Sequence, residues 1–380
     1  MSVAERYVEL CLRLVRHDED LMDFYFGPKE IAERVEREPL REPEKLAADA
    51  RELAQETDSD YLRAQLRGLE TVARKLAGEE IPYAKEVEAC YSIPLRRVPE
   101  ERFEEAHRAL DELLPPGGTL AERHQRWAEG DAIAEDKLED VLQTVGERLG
   151  EKTRELVGLP DGETFDLELV HDKHWYAYNY YLGGLRSKVA VNTDLPINPR
   201  SVVELMAHEL YPGHHTERTW KEQLLYVGRG QLEESVLPYG TPQSVITEGI
   251  AQLAMDIVIG EHGASVAEAF RELGIAYDAD TAWRFRKADK PLARVIANAA
   301  ILLHVDGVSA DEAKAYLQRW ELSTDERSEQ HIDFIRDRWG GTYIRTYTDG
   351  EELCRRWVNG DLGRFKRLLT EQLTPADLQA

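Results

Sequence analysis

Positions 208–215 read His-Glu-Leu-Tyr-Pro-Gly-His-His, and the Pro212-Gly213 pair inside that run restricts how the chain can fold there. Ser201-Val202-Val203-Glu204 has capping-box form, which predicts a helix starting at that point and carrying His208. That helix cannot run on unchanged. Pro212 lacks the N–H that would bond to the His208 carbonyl, and its ring clashes there. Gly213 tolerates backbone angles that other residues avoid. A bulge or kink is therefore expected between His208 and the two following histidines.

The distortion matters because of what the histidines could do together. A catalytic zinc ion commonly takes three protein ligands and leaves a fourth position for water. A nearby base accepts the proton of that water. The usual helical solution, H-E-x-x-H, puts two histidines four apart on one face with the glutamate beside the first. Here His208-Glu209 is present, but Pro212 stands where the second histidine would be. On an unbroken helix His215 would lie about 10 Å further along the axis, and His214 about 120° off the face. Neither could share one ion with His208, since each Zn–N bond is only about 2 Å. A two-residue bulge would bring His214 into place, and a three-residue bulge His215. His214 is preferred, with His215 as the alternative ligand.

A third ligand should come from a neighbouring element. Thr241-Pro242 is a good cap and first-turn pair for a helix carrying Glu248. Val245, Ile246, Ile250, Leu253, Ala254 and Ile257 form its apolar side, and Gly249 permits close approach beside Glu248. Taken alone, Glu248 would be read as an exposed helix glutamate; the histidine cluster is what singles it out. Three of the eleven histidines fall within eight residues beside a glutamate and a Pro-Gly pair, which favours a metal site over a set of surface histidines. His171-Asp172-Lys173-His174 is a second histidine pair at a strand end, and ordinary surface or supporting roles are expected for it.

Bulk properties exclude some partners. The formal charge of −25 repels phosphate backbones and anionic headgroups, so neither nucleic acid nor a membrane surface is an expected partner. Cys11, Cys90 and Cys354 are far apart and odd in number, and are read as small buried hydrophobes. The N-terminal stretch is amphipathic and broken by charges, without a signal-type apolar run, so a reducing, cytoplasmic location is expected.

Periodicity predicts a mainly α chain. Val3, Tyr7, Leu10, Cys11, Leu14 and Val15 recur at helical spacing, with Gly27-Pro28 as a stop signal. Helices are expected over Glu44–Thr57, Tyr61–Gly78 and Ala84–Tyr91, with prolines as punctuation, and a break at Pro115-Pro116-Gly117-Gly118. One long charged helical stretch, largely solvated, is expected from Leu120 to Leu156. Phe165–Val170 alternates with period two, and Ala177–Leu182 and Ser187–Asn192 flank a Gly183-Gly184 turn, so a small antiparallel sheet (a hairpin plus one strand) should precede the histidine helix. Two regions are expected, 1–160 helical and 161–380 carrying the sheet and the metal helices, packed as one unit.

The run His208 to His215 resembles the HE-x-x-P-G-H-H signature of a bacterial family known as domain of unknown function 885, and Glu248-Gly249 resembles its second motif. Phe26-Gly27-Pro28, His304–Ser309 and Tyr343–Gly350 resemble weaker segments of the same family; Ile250 and Gln252 stand where its second motif usually has aromatic residues. The family in turn resembles the helical gluzincin peptidases, the carboxypeptidase Taq group above all. That resemblance implies a multi-helix zincin-like fold, zinc held by His208, His214 and Glu248, and Glu209 as the base.

The expected activity is zinc-dependent hydrolysis of a peptide, of carboxypeptidase type, with hydrolysis of a non-peptide amide or ester, or a non-catalytic zinc-stabilised binding protein, as alternatives. A purely structural site has no need of the base at Glu209. Tyr347 and Tyr343 are candidate donors to a tetrahedral oxyanion. Arg345 and Arg186 are candidates to grip a substrate carboxylate. By resemblance to zincins, the strand Val189–Asn192 could pair with an extended peptide, which puts Asn192 among the candidate substrate contacts.

Overall fold

The computed structural model describes residues 1–130, 132–173, 175–194, 196–259 and 263–379. In chain order, helix α1 (Val3–Val15) leads to strand β1 (Met22–Tyr25), then α2 (Lys29–Glu36), α3 (Pro43–Glu56), α4 (Asp60–Leu76), α5 (Tyr83–Tyr91), α6 (Glu101–Leu113), α7 (Leu120–Glu129) and α8 (Glu135–Leu156). Strands β2 (Thr164–Val170), β3 (Ala177–Tyr181) and β4 (Arg186–Asn192) follow, then α9 (Pro199–Glu209) and α10 (His214–Lys221). Strand β5 (Val236–Pro238) precedes α11 (Pro242–Val258), α12 (Ala264–Glu272), α13 (Ala279–Asp289) and α14 (Val295–Ile301). The chain closes with α15 (Ala310–Trp320), α16 (Asp325–Arg336), α17 (Gly340–Val358), α18 (Leu362–Thr370) and α19 (Pro375–Gln379). The protein is mainly α, and no helix among the described residues is long and apolar enough to cross a membrane.

Local signals account for most element ends. Ser309 and Glu312 form the reciprocal capping box that opens α15. Pro43 and Pro242 sit in the first turns of α3 and α11, where a missing N–H costs nothing. Other ends depart from the expected positions. The helix carrying His208 starts at Pro199 rather than Ser201, because the Asn198 side chain accepts the Ser201 N–H at 3.0 Å and caps the helix. Thr241 does precede α11, but its hydroxyl donates to the Pro238 carbonyl, and Gln65 of α4 accepts the Gln243 N–H instead. The stretch from Leu120 to Leu156 is two helices, since Gly130 turns extended after α7. It is also less solvated than expected: α8 buries Leu138, Val141, Leu142, Val145 and Leu149. Gly27-Pro28 opens α2 after β1, well beyond the end of α1.

The sheet ahead of α9 has the order β2–β4–β3. The β3–β4 hairpin is antiparallel as expected, whereas β2 joins β4 in parallel, so the sheet is mixed. β4 is the central strand, with Val189 and Val191 buried and both its edges paired. It has no edge left to offer a peptide, which overturns the strand-pairing expectation for Val189–Asn192. β1 pairs antiparallel with β5, and the register slips between Met22 and Phe24.

The buried helix α11 is the axle of the fold. Its Val245 joins a core shared by α1, α3–α6 and α14–α17. Ala254 joins a second core with α8, β4 and α9, and Ile246 and Ile250 join a third with Cys354 of α17 and Phe365 of α18. Every residue from Pro242 to Ala251 is buried, polar Gln243, Ser244, Thr247 and Glu248 included, so α11 is covered around its circumference rather than on its apolar side alone. All three cysteines are free and buried.

Candidate metal centre

The chain does not merely bulge at Pro212; it ends one helix and starts another. Both the Leu210 and Tyr211 N–H groups bond to the Met206 carbonyl, at 3.0 and 3.1 Å, and the chain then crosses a cis Tyr211–Pro212 peptide. The Leu210 carbonyl, left over at the helix end, accepts from the N–H and hydroxyl of Thr216. Gly213 lies against α9 so closely that a Cβ there would collide with the carbonyl oxygens of His208 and Ala207. His208 therefore occupies the last turn of α9 and His214 the first position of α10.

The break brings the two imidazoles together. Their Nε2 atoms are 3.2 Å apart, and Glu248 Oε2 lies 3.7 Å from one and 3.8 Å from the other. These three ligand atoms lie within 4.8 Å of one another. Two donors, each about 2.0–2.1 Å from a tetrahedral zinc ion, are roughly 3.3 Å apart, so the donor set fits that ion with small adjustments. Glu248 Oε2 is buried without a hydrogen-bond partner, an orphaned acceptor that a cation would satisfy. Glu248 is not the exposed helix residue that its local sequence alone would suggest.

Burial sets the protonation of the group. It pushes His208 down to about 4 and His214 well below the usual histidine value, with the Arg218 charge adding to both shifts. The contacts to Glu248 are thus not ion pairs, and both rings are in the neutral form that binds metals. Glu248 is pushed up to about 8 by burial, against a lowering hydrogen bond from Tyr343. Glu209 is likewise pushed up to about 8 by burial, opposed by Arg218. The Glu209 side chain is 8% exposed and has no hydrogen-bonding partner among the described residues.

His215 points elsewhere. Its Nδ1 is 2.8 Å from Ser187 Oγ and its Nε2 2.9 Å from Glu163 Oε2, so neither nitrogen is left for a metal. Glu163 also accepts from the Tyr211 hydroxyl and from Arg154, tying the helix break to the start of β2. Of the two alternatives for the second histidine, the geometry brings only His214 to His208.

The tyrosine candidates lie on the site's side of α17, four residues apart. The Tyr343 hydroxyl donates to Glu248 Oε1 at 2.7 Å, so it orients that carboxylate. Tyr347 packs edge-on against Tyr343; its hydroxyl has no hydrogen-bonding partner among the described residues, and burial together with the Glu248 and Glu209 charges keeps it protonated.

The other candidates are placed away from this group. Arg345, 1% exposed, lies on another face of α17, because two residues of helix turn the side chain through about 200°. It is engaged by Asp349 and the Arg96 carbonyl. Arg186 is exposed at the outer end of β4, on the opposite face from Ser187. Asn192 Nδ2 donates to the Lys173 and Trp175 carbonyls and is spent on holding a loop. Exposed His171 contacts Thr193 and Asp194, and its proposed companion His174 lies outside the described residues.

Four further residues surround the site. Arg218 is 6% exposed, one turn after His214 on α10. It donates to the main-chain and side-chain oxygens of Asn179 at 2.9 and 3.0 Å and pairs with Asp23. Asn179 Nδ2 donates to the Glu209 carbonyl at 2.6 Å, and the Tyr178 hydroxyl bonds to Asp23. The i, i+4 spacing of His214 and Arg218 was a readable signal. Asp23 and Asn179 offered none, since they arrive from remote strands.

Fold and site together define a mainly α protein with a His–His–Glu group of metal-binding geometry. Compared with known family models and with curated proteins, the chain matches none. Among solved structures it is similar to the crystal structure of a protein from Colwellia psychrerythraea described as a "putative lipoprotein". The two are 14% identical with a TM-score of 0.55; the likeness covers 89% of this chain and 66% of that one. This chain thus spans slightly less than two thirds of that protein's length, and at such an identity the likeness speaks for the fold alone.

Proposed function

We propose that this chain is a zinc-dependent hydrolase, a peptidase of carboxypeptidase type that cleaves an amide bond with an activated water. The observation that carries this reading is the convergence of His208 Nε2, His214 Nε2 and Glu248 Oε2, with Glu248 Oε2 buried and unpartnered. The motif's resemblance to the family of unknown function 885, and through it to gluzincin peptidases, points the same way.

His208, His214 and Glu248 would hold the ion, which when bound supplies Lewis acidity toward the scissile carbonyl and acidifies a water. Glu209, next to His208 in sequence and with no hydrogen bond to its side chain among the described residues, would in its ionised form, which a nearby cation favours, accept the proton of the attacking water and return it to the leaving amine. The Tyr347 hydroxyl, free to donate, stabilises the oxyanion that develops on the carbonyl. Tyr343 acts on Glu248, fixing the carboxylate orientation as outer partners of metal ligands do. A buried carboxylate at Glu209 without a structural partner costs stability, which favours a catalytic reading over a purely structural zinc site.

The test is bound zinc and hydrolysis of a peptide library by wild type and Glu209→Gln, with free-acid and amidated peptides compared. Turnover lost with zinc retained supports the proposal. Full activity in the variant would remove the base, and absence of zinc from both proteins would remove the metal.

A further inference from the structure

We infer that Arg218, working through Asn179, is the positioning residue that sets the end of α9 and the start of α10 relative to each other; the inference rests on the metal reading above. The helix break gives the site its shape, but a break also leaves carbonyl groups without intrahelical partners. Leu210 O is satisfied close by in the chain, by Thr216, the residue that follows the motif. Glu209 O is satisfied from outside it, by Asn179 Nδ2 at 2.6 Å. Asn179 is in turn held by the Arg218 guanidinium, which forks onto both of its oxygens.

Arg218 stands on the same face of α10 as His214, one turn away. One continuous chain of bonds therefore runs from the main chain of Glu209, through Asn179, to the helix that presents His214. It links the end of α9 to α10, the same two elements that the metal would link through His208 and His214.

Burial makes this chain dependent on a second element. A guanidinium 6% exposed is costly unless it is paired. The pairing carboxylate is Asp23 of β1, which also accepts from Tyr178. Asp23 lies where the β1–β5 register slips, and such a slip re-aims the side chain at that point. The first 25 residues thereby contribute to the frame of a site whose metal-binding residues begin at His208.

Lysine does not reproduce this geometry, because Arg218 meets Asn179 through Nη1 and Asp23 through Nη2, two nitrogens held apart by the planar guanidinium, whereas lysine offers one nitrogen. The test uses the full-length protein as wild type, Arg218→Lys, Asn179→Ala and the double variant. Two quantities are read: zinc affinity by competition with a chromophoric chelator, and amide hydrogen exchange of segment 207–216 in the metal-free protein. Each single variant should weaken zinc by about 10–100-fold, the usual loss for an outer partner. The double variant should be within about twofold of Arg218→Lys, because both act through one chain of bonds. Exchange in segment 207–216 should quicken while peptides from α3 and α4 stay protected. If Arg218→Lys does not fold, Asn179→Ala, which leaves the Arg218–Asp23 pair in place, carries the test.

Unchanged zinc affinity and unchanged exchange in Asn179→Ala would overturn the inference, as would losses that multiply in the double variant. A wild-type protein that takes no zinc would overturn the metal reading instead, and the exchange measurement would still decide the positioning role.

Discussion

Gly249 on α11 and Gly350 on α17 face each other so closely that a Cβ on Gly249 would come within 2.5 Å of the Gly350 carbonyl oxygen. A Cβ on Gly350 would lie 3.2 Å from the Gly249 nitrogen and would collide with the Val245 carbonyl. The crossing sits beside Glu248 and two turns from Tyr343, so the close approach of the two backbones is what lets that hydroxyl reach the Glu248 carboxylate.

Adding a methyl group at this crossing should therefore act on the site as well as on stability. Gly350→Ala is expected to destabilise the protein by roughly 1–3 kcal/mol, the usual range for overpacking. It should also weaken zinc binding by parting Tyr343 from Glu248. Denaturant unfolding and chelator competition on one preparation check both effects. Lost stability with unchanged zinc affinity would uncouple the crossing from the site.

Tyr343→Phe removes only the hydroxyl. Zinc affinity should fall by about 10–100-fold, as for other outer partners of a metal ligand. Tyr347→Phe should leave zinc affinity unchanged and lower turnover instead, by about 10²–10³-fold for loss of an oxyanion donor. A reversal of these two profiles would exchange the roles given to the tyrosines.

Metal removal should be visible in stability. With free zinc at 100 times its Kd, the folded state should gain about 2.7 kcal/mol over the chelated protein. Glu248→Ala should abolish that gain at the same zinc concentration. His215→Ala should retain zinc binding, because that ring is committed to Ser187 and Glu163, but should unfold more readily than wild type. Thermal melts with and without zinc separate the two variants; loss of the zinc increment in His215→Ala would contradict the assignment.

Asp256 provides a pH test remote from the histidines. It sits on α11 and pairs with Lys290 at 2.8 Å, Arg355 at 2.6 Å and, at longer range, Arg286. Burial alone would raise this carboxyl, but the cations outweigh it and hold it below the usual aspartate range. A carboxyl lowered in the folded state stabilises fully above its unfolded value of about 3.9 and loses that contribution as pH falls through its folded value. Asp256→Asn should therefore be less stable than wild type at pH 7, by about 1 kcal/mol, since Asp256 and its cations are only partly buried. The difference should shrink below about pH 4. Urea unfolding at pH 7 and pH 3 measures it; a gap that stays constant with pH would show that the charge of Asp256 is not its cause.

Much of the fold was legible because the signals are local. The period-two run of β2, the Gly183-Gly184 turn before β4, the apolar spacing of α1 and the Ser309–Glu312 box each act within a few residues. Local reading erred for two reasons. Nearby groups were passed over: Asn198, three residues before Ser201, moved the start of α9, and Gly130 divided a stretch whose charge pattern suggested one helix. A distant group intervened at α11, where Gln65 took over a capping duty. The parallel pairing of β2 with β4 was equally hidden, since a strand's own sequence does not state its partner's direction.

From residues alone it followed that the helix through His208 could not run on unchanged past Pro212, and that His208, Glu209, Glu248 and either His214 or His215 were the candidate site residues; that one helix ends there and another starts is a finding of the structure. The missing proline N–H carries the first point, and the demand of a metal for few, close donors motivates the second. Tertiary packing selects His214 over His215 as the partner of His208, because Ser187 and Glu163 capture the other ring. Only it replaced Arg345 and Arg186 beside the site with Arg218, and brought Asp23 and Asn179 to that guanidinium. The physical reason is one of range: backbone strain and periodicity act within a turn or two, whereas a buried charge takes its partner from whatever strand packing delivers.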